Sequence, residues 1–534
     1  MAFLATSTPF LFSQPTQAAS SAVLNISIPG VFTGCSESDP TASAATLAIL
    51  DLVRPSAFAS GSTGRPTGAN GPIAQAELTA ISPVQQVTYT IDPTWLWSDG
   101  TTFTVGDMVA WFQRARSSRL ARNDGYQYIS SLQAKADLRH LVVTFSTPYA
   151  NWTSLFRDME KQKSSPDSCS LESLVKNPGI GPYVVASASP HRFSLTANSH
   201  WPGSPAYFPF VNITAGEPQV HPRGSYSLSL SNDFSPYDLT FTTGSLSMST
   251  RLSSSDQIVT LAFSPLRQFT ANSAMRLALG GLVNRTALTR SIYGQNVFSV
   301  GNASSAVFAQ SSPSYSGPSG ISPFLQNRLA PTTSLITGSG VDCVSCAISL
   351  MHQSFTNKFG YWSTSQGQPL ALRLISGPGK ADLLASQQII AQYAQLGVPV
   401  YQVFASTEAE AALASAVGRA DCAVYTRSHN DVFANVLAWI QSNASDNFDS
   451  SWRSSTVTAA YQAALSQFNA TSRGVNWATI DSVVLANGWE TPLFTIPSMM
   501  SWTNQLQGPW VAANLSTLLN QVPTWYPSAQ NSGP

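Results

Sequence analysis

Trp97-Ser98-Asp99-Gly100-Thr101-Thr102-Phe103-Thr104-Val105-Gly106-Asp107-Met108-Val109 is the stretch whose reading decides the fold. Just upstream, Val87-Thr88-Tyr89-Thr90-Ile91 alternates with the period of two that buries one face of a strand. Asp99-Gly100 supplies the positive backbone dihedral of a hairpin turn, and a second short strand follows it. Thr104 and Asp107 stand at the spacing of a capping box, in which Thr104 accepts from the amide three residues on while Asp107 reaches back. That pair predicts a helix running through Ala110 and Phe112. The stretch carries none of the groups a catalytic motif needs.

Working outward, Asn177-Pro178-Gly179-Ile180-Gly181-Pro182-Tyr183 is a turn shaped by Gly and Pro, and Ala197-Asn198-Ser199-His200-Trp201 ends a strand on an aromatic that packs behind that turn. Met275-Arg276-Leu277-Ala278-Leu279, continuing to Val283-Asn284-Arg285, reads as a helix. Leu383, Ile389, Ile390, Tyr393 and Leu396 make one helical stripe ended by Gly397, and Val398-Pro399-Val400-Tyr401-Gln402-Val403 reads as the strand that follows.

In this order the blocks resemble the family 5 extracellular solute-binding proteins, the oligopeptide and dipeptide receptors of bacterial ABC importers. The first stretch is similar to their W-S-D-G-x-x-(F/L)-T-A-x-D-V signature. The later blocks are similar to their G-T-G-P-Y turn, R-N-x-x-Y-W strand end, R-x-A-(L/I)-x-x-A-(I/V)-(D/N)-R helix and helix-L-G-I-x-V unit. The resemblance runs from about Val23 to Tyr526. It implies an α/β, two-lobed periplasmic-binding-protein-like fold (type II, cluster C) with a small accessory domain. Leu52-Val53-Arg54-Pro55-Ser56-Ala57-Phe58, and the run from Val143 to Trp152 with Leu155-Phe156 after it, further resemble an actinobacterial branch of the family, the LpqW-type lipoproteins, which keep the receptor fold and are linked to cell-envelope glycolipid assembly.

Composition agrees with an exported receptor. A chain of 534 residues is too long for one compact core. Only 10% of it is charged and its net charge is zero, so it lacks the field of Lys and Arg that displaces phosphate counterions, and nucleic-acid binding is excluded. No stretch approaches the ~20 apolar residues that span a bilayer.

The start, Met1 to Ala19, ends like a signal-peptidase site, but it lacks a basic n-region and Pro9 interrupts its apolar core. Residues 1–21 are therefore read as a signal or disordered segment. Phe32-Thr33-Gly34-Cys35 has the look of a lipobox. However, Val23-Leu24-Asn25-Ile26-Ser27-Ile28 reads as the first strand, and cleavage after it would discard that strand.

The five cysteines are Cys35, Cys169, Cys343, Cys346 and Cys422. Cys343-Val344-Ser345-Cys346 lacks the second ligand pair of structural zinc, so in an exported chain a loop disulfide is expected, with at least one thiol left over. No two of the six histidines have the i, i+4 spacing of a metal helix, and no G-x-S-x-G elbow occurs. Gly377-Pro378-Gly379-Lys380 is followed by Ala381 rather than Ser or Thr and lacks the first glycine of a phosphate-binding loop. No enzyme activity, cofactor or metal is expected. Asn-x-Ser/Thr triplets such as those at Asn212 and Asn514 follow from composition.

The order of elements suggests a first lobe over 22–50, described by a β-rich opening, then an accessory domain over 51–176 containing the Gly-rich run Gly61 to Gly71. The chain would return to the first lobe over 177–263, form a second lobe over 264–491, and cross back over 492–534. The apolar strand Ile258-Val259-Thr260-Leu261-Ala262-Phe263 is the expected hinge, by family resemblance, and the cleft between lobes the expected site.

The resemblance also implies which residues face that cleft. The peptide receptors carry W-x-x-D-x-x-(D/E)-P at a strand end, whose first Asp pairs with the ligand's ammonium group. The matching run here is Tyr425-Thr426-Arg427-Ser428-His429-Asn430-Asp431-Val432, which puts Ser428 where that Asp stands. Ordinary peptide capture loses its charge-assisted bond there. Asp431 could substitute, Arg427 could attract a carboxylate or phosphate or stack on a sugar, or Arg427 and Asp431 could simply pair with each other. Tyr425 is read as a cleft wall, His429 as its neighbour, and Phe32 and Thr33, after the first strand, as residues opposite. Trp95 and Trp97 read as core aromatics. The expected partners are a peptide or small-molecule ligand and an ABC permease in the membrane, with the protein a monomer outside the cell membrane. The alternative is an envelope protein of the LpqW type that acts in glycolipid assembly without transport.

Overall fold

The computed structural model describes residues 22–36, 42–54, 56–58, 71–117, 125–162, 170–216, 221–234, 238, 245, 247–294, 303–309, 344–429, 432–437, 439–440, 452–510, 512 and 514–528. The segment expected to be a signal, most of the Gly-rich run, Cys343 and Asp431 lie outside the described residues.

The chain opens with β1 (Val23–Pro29), whose alternating burial fits the pattern in its sequence, and α1 (Ala44–Val53), capped by the Ser43 hydroxyl. The opening is thus a strand and a helix rather than β-rich. The break expected after residue 50 falls inside α1, because the apolar face of Ala48, Ile49, Leu52 and Val53 is continuous and buried in a single core.

A four-stranded antiparallel sheet follows, with β2 (Ile73–Ala80), β3 (Gln86–Ile91), β5 (His140–Phe145) and β4 (Ile129–Ala134) adjacent in that order. Helix α2 (Val105–Ser117) lies between its strands in sequence. At the hairpin before α2, Gly100 has φ +81° and its amide donates to the Trp97 carbonyl at 2.8 Å. Half of the expected capping box is present. Asp107 Oδ2 accepts from the Thr104 amide at 2.9 Å, but it also takes the Thr104 hydroxyl, so Thr104 contributes its backbone carbonyl to the Asp107 amide instead. Trp95 and Trp97 are buried, Trp95 edge-on against Trp201.

After α3 (Leu171–Lys176) come β6 (Tyr183–Ser189), β7 (Arg192–Ala197), β8 (Phe210–Gly216), β9 (Ser227–Ser231) and the long β10 (Met248–Phe263). Helices α4 (Ser273–Gly281), α5 (Arg285–Tyr293) and α6 (Val344–Met351) precede a small hairpin, β11 (Thr356–Lys358) with β12 (Tyr361–Ser363). Then β13 (Leu372–Ser376), α7 (Lys380–Gln395), β14 (Val400–Phe404), α8 (Glu408–Ala416) and β15 (Cys422–Ser428) alternate as strand and helix. The chain ends with α9 (Val432–Leu437), α10 (Ser455–Ser466), α11 (Ala470–Ala486), the long β16 (Glu490–Thr503) and a short terminal segment. Gly397, at φ +77°, ends α7 as expected.

Ten strands form one sheet, in the order β14-β13-β15-β10-β16-β9-β1-β8-β7-β6. The two long antiparallel strands β10 and β16 stand at its centre and serve two different cores. Val259, Leu261 and Phe263 of β10 and Leu493, Phe494 and Ile496 of β16 belong to a core with α4, α5, α7, β13 and β15, while Met500 belongs to one with β1, α1 and β6 to β8. Between the two parts the β10–β16 register shifts, after Ser254 and before Ile258. The strand expected as a hinge is itself buried and paired on both sides; one discontinuity lies just upstream, in the polar residues Ser255-Asp256-Gln257, and a second inside it, between Val259 and Thr260. A bulge of this kind bends a strand locally.

The small sheet joins a third core with α10 and α11. The segment after β5 touches α10 and α9 directly: the Ala150 amide donates to the Leu465 carbonyl at 2.6 Å and the Tyr149 and Phe433 rings lie 6.4 Å apart. Among the described residues, no helix is long and apolar enough to cross a membrane.

Candidate functional site

The candidate residues cluster on β15, whose alternation divides them between two faces. Tyr425, Arg427 and His429 share one face. The Tyr425 hydroxyl donates to Glu490 Oε1 at 3.2 Å, and Arg427 Nη1 reaches Oε1 and Oε2 of the same carboxylate at 3.0 and 3.1 Å. Trp439 Nε1 donates to Glu490 at 3.2 Å, and the Arg427 guanidinium lies over the Trp439 ring, 4.6 Å from its centre. Arg427 also donates to the Asn435 carbonyl. Glu490, 1% exposed, therefore collects three donors, as a buried carboxylate must if it is to stay charged.

Arg427 is committed to Glu490, Trp439 and Asn435. Tyr425 is 4% exposed and belongs to the same buried network. His429 is buried too, its Nδ1 3.1 Å from the Arg427 carbonyl and its Nε2 3.0 Å from the Ala306 carbonyl. Burial and the Arg427 charge push its imidazole down to about 3, so it is neutral and can donate to only one of those carbonyls. Asp481 fixes the same Ala303–Ala309 segment, accepting the Ala306 amide at 2.7 Å, and burial raises its carboxyl to about 7.

Thr426 and Ser428 point to the other face. The Thr426 amide donates to Glu408 Oε2 at 3.0 Å and its hydroxyl to Asp382 Oδ1 at 2.8 Å. Asp382, at the start of α7, and Glu408, at the start of α8, meet under the Gly377-Pro378-Gly379 turn, where a Cβ at either glycine would run into their oxygens. Burial, then the adjacent Glu408 charge, lifts the Asp382 carboxyl to about 9, so one proton is held between the two acids at neutral pH. The Ser428 hydroxyl donates to Asp256 Oδ2 at 2.9 Å, and the His429 amide to the Asp256 carbonyl at 2.8 Å.

Phe32 and Thr33 do not join this group. Phe32 is fully buried in the core of β1 and α1, edge-on to Phe193 at 4.7 Å. The Thr33 amide donates to the Thr46 hydroxyl at 3.1 Å and its carbonyl accepts from Ser43, which ties it to the α1 cap. Glu490 and Asp256 were missed by sequence reasoning, although each left a trace. Glu490 is a lone acid at the entry of an apolar run, and Asp256 breaks a strand pattern just before one.

Among the described residues no group of His, Cys, Asp and Glu has the arrangement of a metal site. Cys35 is disulfide-bonded, so its sulfur is not available to carry a lipid, and Cys422 is a buried free thiol.

A central pair of long strands joining two cores, with polar groups at the strand ends beside the junction, defines a two-lobed α/β binding-protein architecture. Residues 76–323 match the family model of bacterial extracellular solute-binding proteins, family 5 (middle). The chain is 32% identical over 140 residues to oligopeptide-binding protein OppA of Mycobacterium tuberculosis and Mycobacterium bovis; the match spans 24% of the chain and about a quarter, 24%, of the length of those relatives.

Solved structures share the fold. The periplasmic EDTA-binding protein EppA superposes with a TM-score of 0.79 at 16% identity, covering 98% of this chain and 99% of that one. NikA from Brucella suis, in complex with Fe(III)-EDTA, gives 0.75 at 16%, covering 95% and 100%. AppA from Bacillus subtilis, in complex with a nonapeptide, gives 0.69 at 12%, covering 95% and 99%. The fold is thus that of the type II periplasmic binding proteins.

Proposed function

We propose that this chain is the solute-binding component of an ABC importer, working outside the cell membrane as a monomer and handing a peptide or another small solute to a membrane permease. The observation that carries the reading is the junction itself: two strands, β10 and β16, pass between two cores and lose register at 254–258. The family match and the likeness to the EDTA-binding protein EppA and the oligopeptide-binding protein AppA agree with it.

One lobe would comprise β1, α1, α3 and β6 to β9 with the C-terminal segment; the other would comprise residues 258–496, with the small sheet as an accessory domain. Closure about 255–257 would bring the strand ends of the two lobes onto the solute. Tyr149 and Ala150, after β5, meet Phe433 of α9 and Leu465 of α10, and those contacts would part for the solute to enter. The relatives' names favour this reading over envelope assembly without transport.

The test is native mass spectrometry of protein purified from its own envelope, with bound material released and identified. A releasable small solute supports the proposal. Preparations that carry none and bind none of a panel of peptides and metal chelates contradict it.

A further inference from the structure

We propose that the end of the large sheet where β13, β14 and β15 begin docks on an anionic lipid surface, with Phe359 as the side chain that enters it. The inference concerns a face away from the solute and holds whatever the solute is.

In the hairpin of β11 and β12, Lys358 pairs with Tyr361, which leaves Phe359-Gly360 as a two-residue turn with φ of +55° and +84°. Hairpin turns with positive φ at both positions favour Asn, Asp or Gly at the first, because a larger side chain there crowds its own backbone. Phe359 is nevertheless fully exposed, and nothing lies within 4 Å of where a Cβ on Gly360 would stand. The fold gains nothing from an aromatic ring at this tip, since backbone and solvent both disfavour it. A partner that buries the ring supplies the missing gain.

More apolar surface is gathered at the same end. The turn rests on Gly397, whose Cβ would collide with the Gly360 carbonyl, and Trp362 Nε1 donates to the Leu396 carbonyl at 2.8 Å, so the hairpin sits where α7 passes into β14. Tyr361 is 65% exposed, Tyr401 on the edge strand β14 is 72% exposed, and Leu266, just past β10, is 61% exposed against Gly418. The loops that carry them are tied together. Gln268 donates to Gln368 between β12 and β13, and Asp421 accepts from the Arg267 side chain at 3.3 Å and from the Arg373 amide at 2.9 Å.

Charge says what covers this surface. Lys358 and Arg373, which stands beside Tyr401 in the strand register, are exposed, and among the described residues neither is held in an ion pair. Arg419 is a third exposed cation, offset in part by Glu410 of α8. The other acids near this end, Asp421 and Glu490, are buried and paired with Arg267 and Arg427. The whole chain is neutral, so the positive excess here is local. An apolar tip among cations suits an anionic bilayer, where the ring enters the acyl boundary while the long basic side chains stay among the headgroups. A second copy meeting on the same patch would instead set cation against cation. Because β13, β14 and β15 run parallel, their far ends at Ser376, Phe404 and Ser428 lie opposite, and lipid at this end leaves the strand-end cleft open.

The experiment measures co-sedimentation of the full-length protein with vesicles of phosphatidylcholine alone and of phosphatidylcholine with about one third phosphatidylglycerol. Wild type is expected to partition onto the anionic vesicles and to leave them as salt is raised. Phe359→Asn suits the turn, so it is expected to keep or raise the melting temperature while lowering partitioning about ten-fold, the scale of one buried aromatic ring. Lys358→Gln combined with Arg373→Gln is expected to lower it about thirty-fold, the scale of two surface charges, and to flatten the salt dependence. Equal partitioning onto the two kinds of vesicle overturns the assignment, as does full partitioning by a folded Phe359→Asn. Wild type that stays off both vesicles but sediments as a dimer, and reverts to a monomer in Phe359→Asn, overturns it in favour of a second copy. None of these outcomes bears on the receptor reading, which is tested on the solute.

Discussion

Arg427 and Glu490 form a buried bidentate ion pair that reaches across β10, since β15 and β16 are not neighbours in the sheet but flank it on either side. Tyr425 and Trp439 complete the shell of the carboxylate, so the network fastens the start of β16 to the core that the small sheet shares with α10 and α11.

Removing one partner should therefore act on stability before it acts on binding. Arg427→Ala leaves Glu490 buried without its counter-charge and is expected to cost about 3–5 kcal/mol. Replacing both with apolar residues of similar volume, Arg427→Met with Glu490→Leu, should cost far less. Chemical denaturation of the two variants checks this; equal losses would show that the pair is not the source of the effect.

Asp382 predicts a pH dependence. In the fold its carboxyl keeps a proton up to about 9, whereas the unfolded chain releases it near the ordinary value of 3.8. Between those values the folded state binds the extra proton, so this contribution to stability is complete at the acid end and is lost as pH rises toward about 9. Asp382→Asn keeps an acceptor for Thr426 and a donor for Glu408 with no proton to lose. Its melting temperature should fall less than that of wild type between pH 5 and 8, and parallel slopes would remove the assignment.

The turn at Gly179-Ile180-Gly181 lies directly on the end of α1. A Cβ at Gly181 would collide with the Leu52 carbonyl, and one at Gly179 with the Val53 carbonyl and side chain. Because backbone is the obstacle, Gly181→Ala is expected to destabilise the core of β1 and α1 by ~2 kcal/mol or more. A melting temperature within a degree of wild type would mean that the helix end yields freely.

Ser255 ties the register break together: its hydroxyl donates to the Ile496 carbonyl at 2.7 Å and accepts the Gln257 amide at 3.1 Å. Ser255→Ala should cost only ~1 kcal/mol globally. It should, however, speed amide exchange at residues 255–257 more than elsewhere in β10. Uniform acceleration along the strand would argue against a local hinge.

Much of the architecture was legible because local chemistry and tertiary structure agree. The hairpin at Asp99-Gly100, the Gly397 helix stop and the burial of Trp95 and Trp97 all follow from backbone preference and hydrophobic pattern. The first domain break failed where periodicity continued: Leu52 and Val53 extend the face of α1 past residue 50. The site was half legible. Alternation along β15 was readable, but the partner of Arg427 lies 63 residues away in sequence, and no spacing rule connects them. Phe32 looked like a strand-end residue at a cleft, yet its ring found a denser environment beside Phe193. The position of Asp256 beside Ser428 depends on a strand register that only the folded sheet sets.

The most direct measurement is small-angle X-ray scattering of the solute-stripped protein, before and after the solute released from the native preparation is added back. The stripped protein is expected to be more extended than this structure and to contract to match it as the solute saturates. An unchanged radius of gyration with solute demonstrably bound would contradict a hinge-closing receptor.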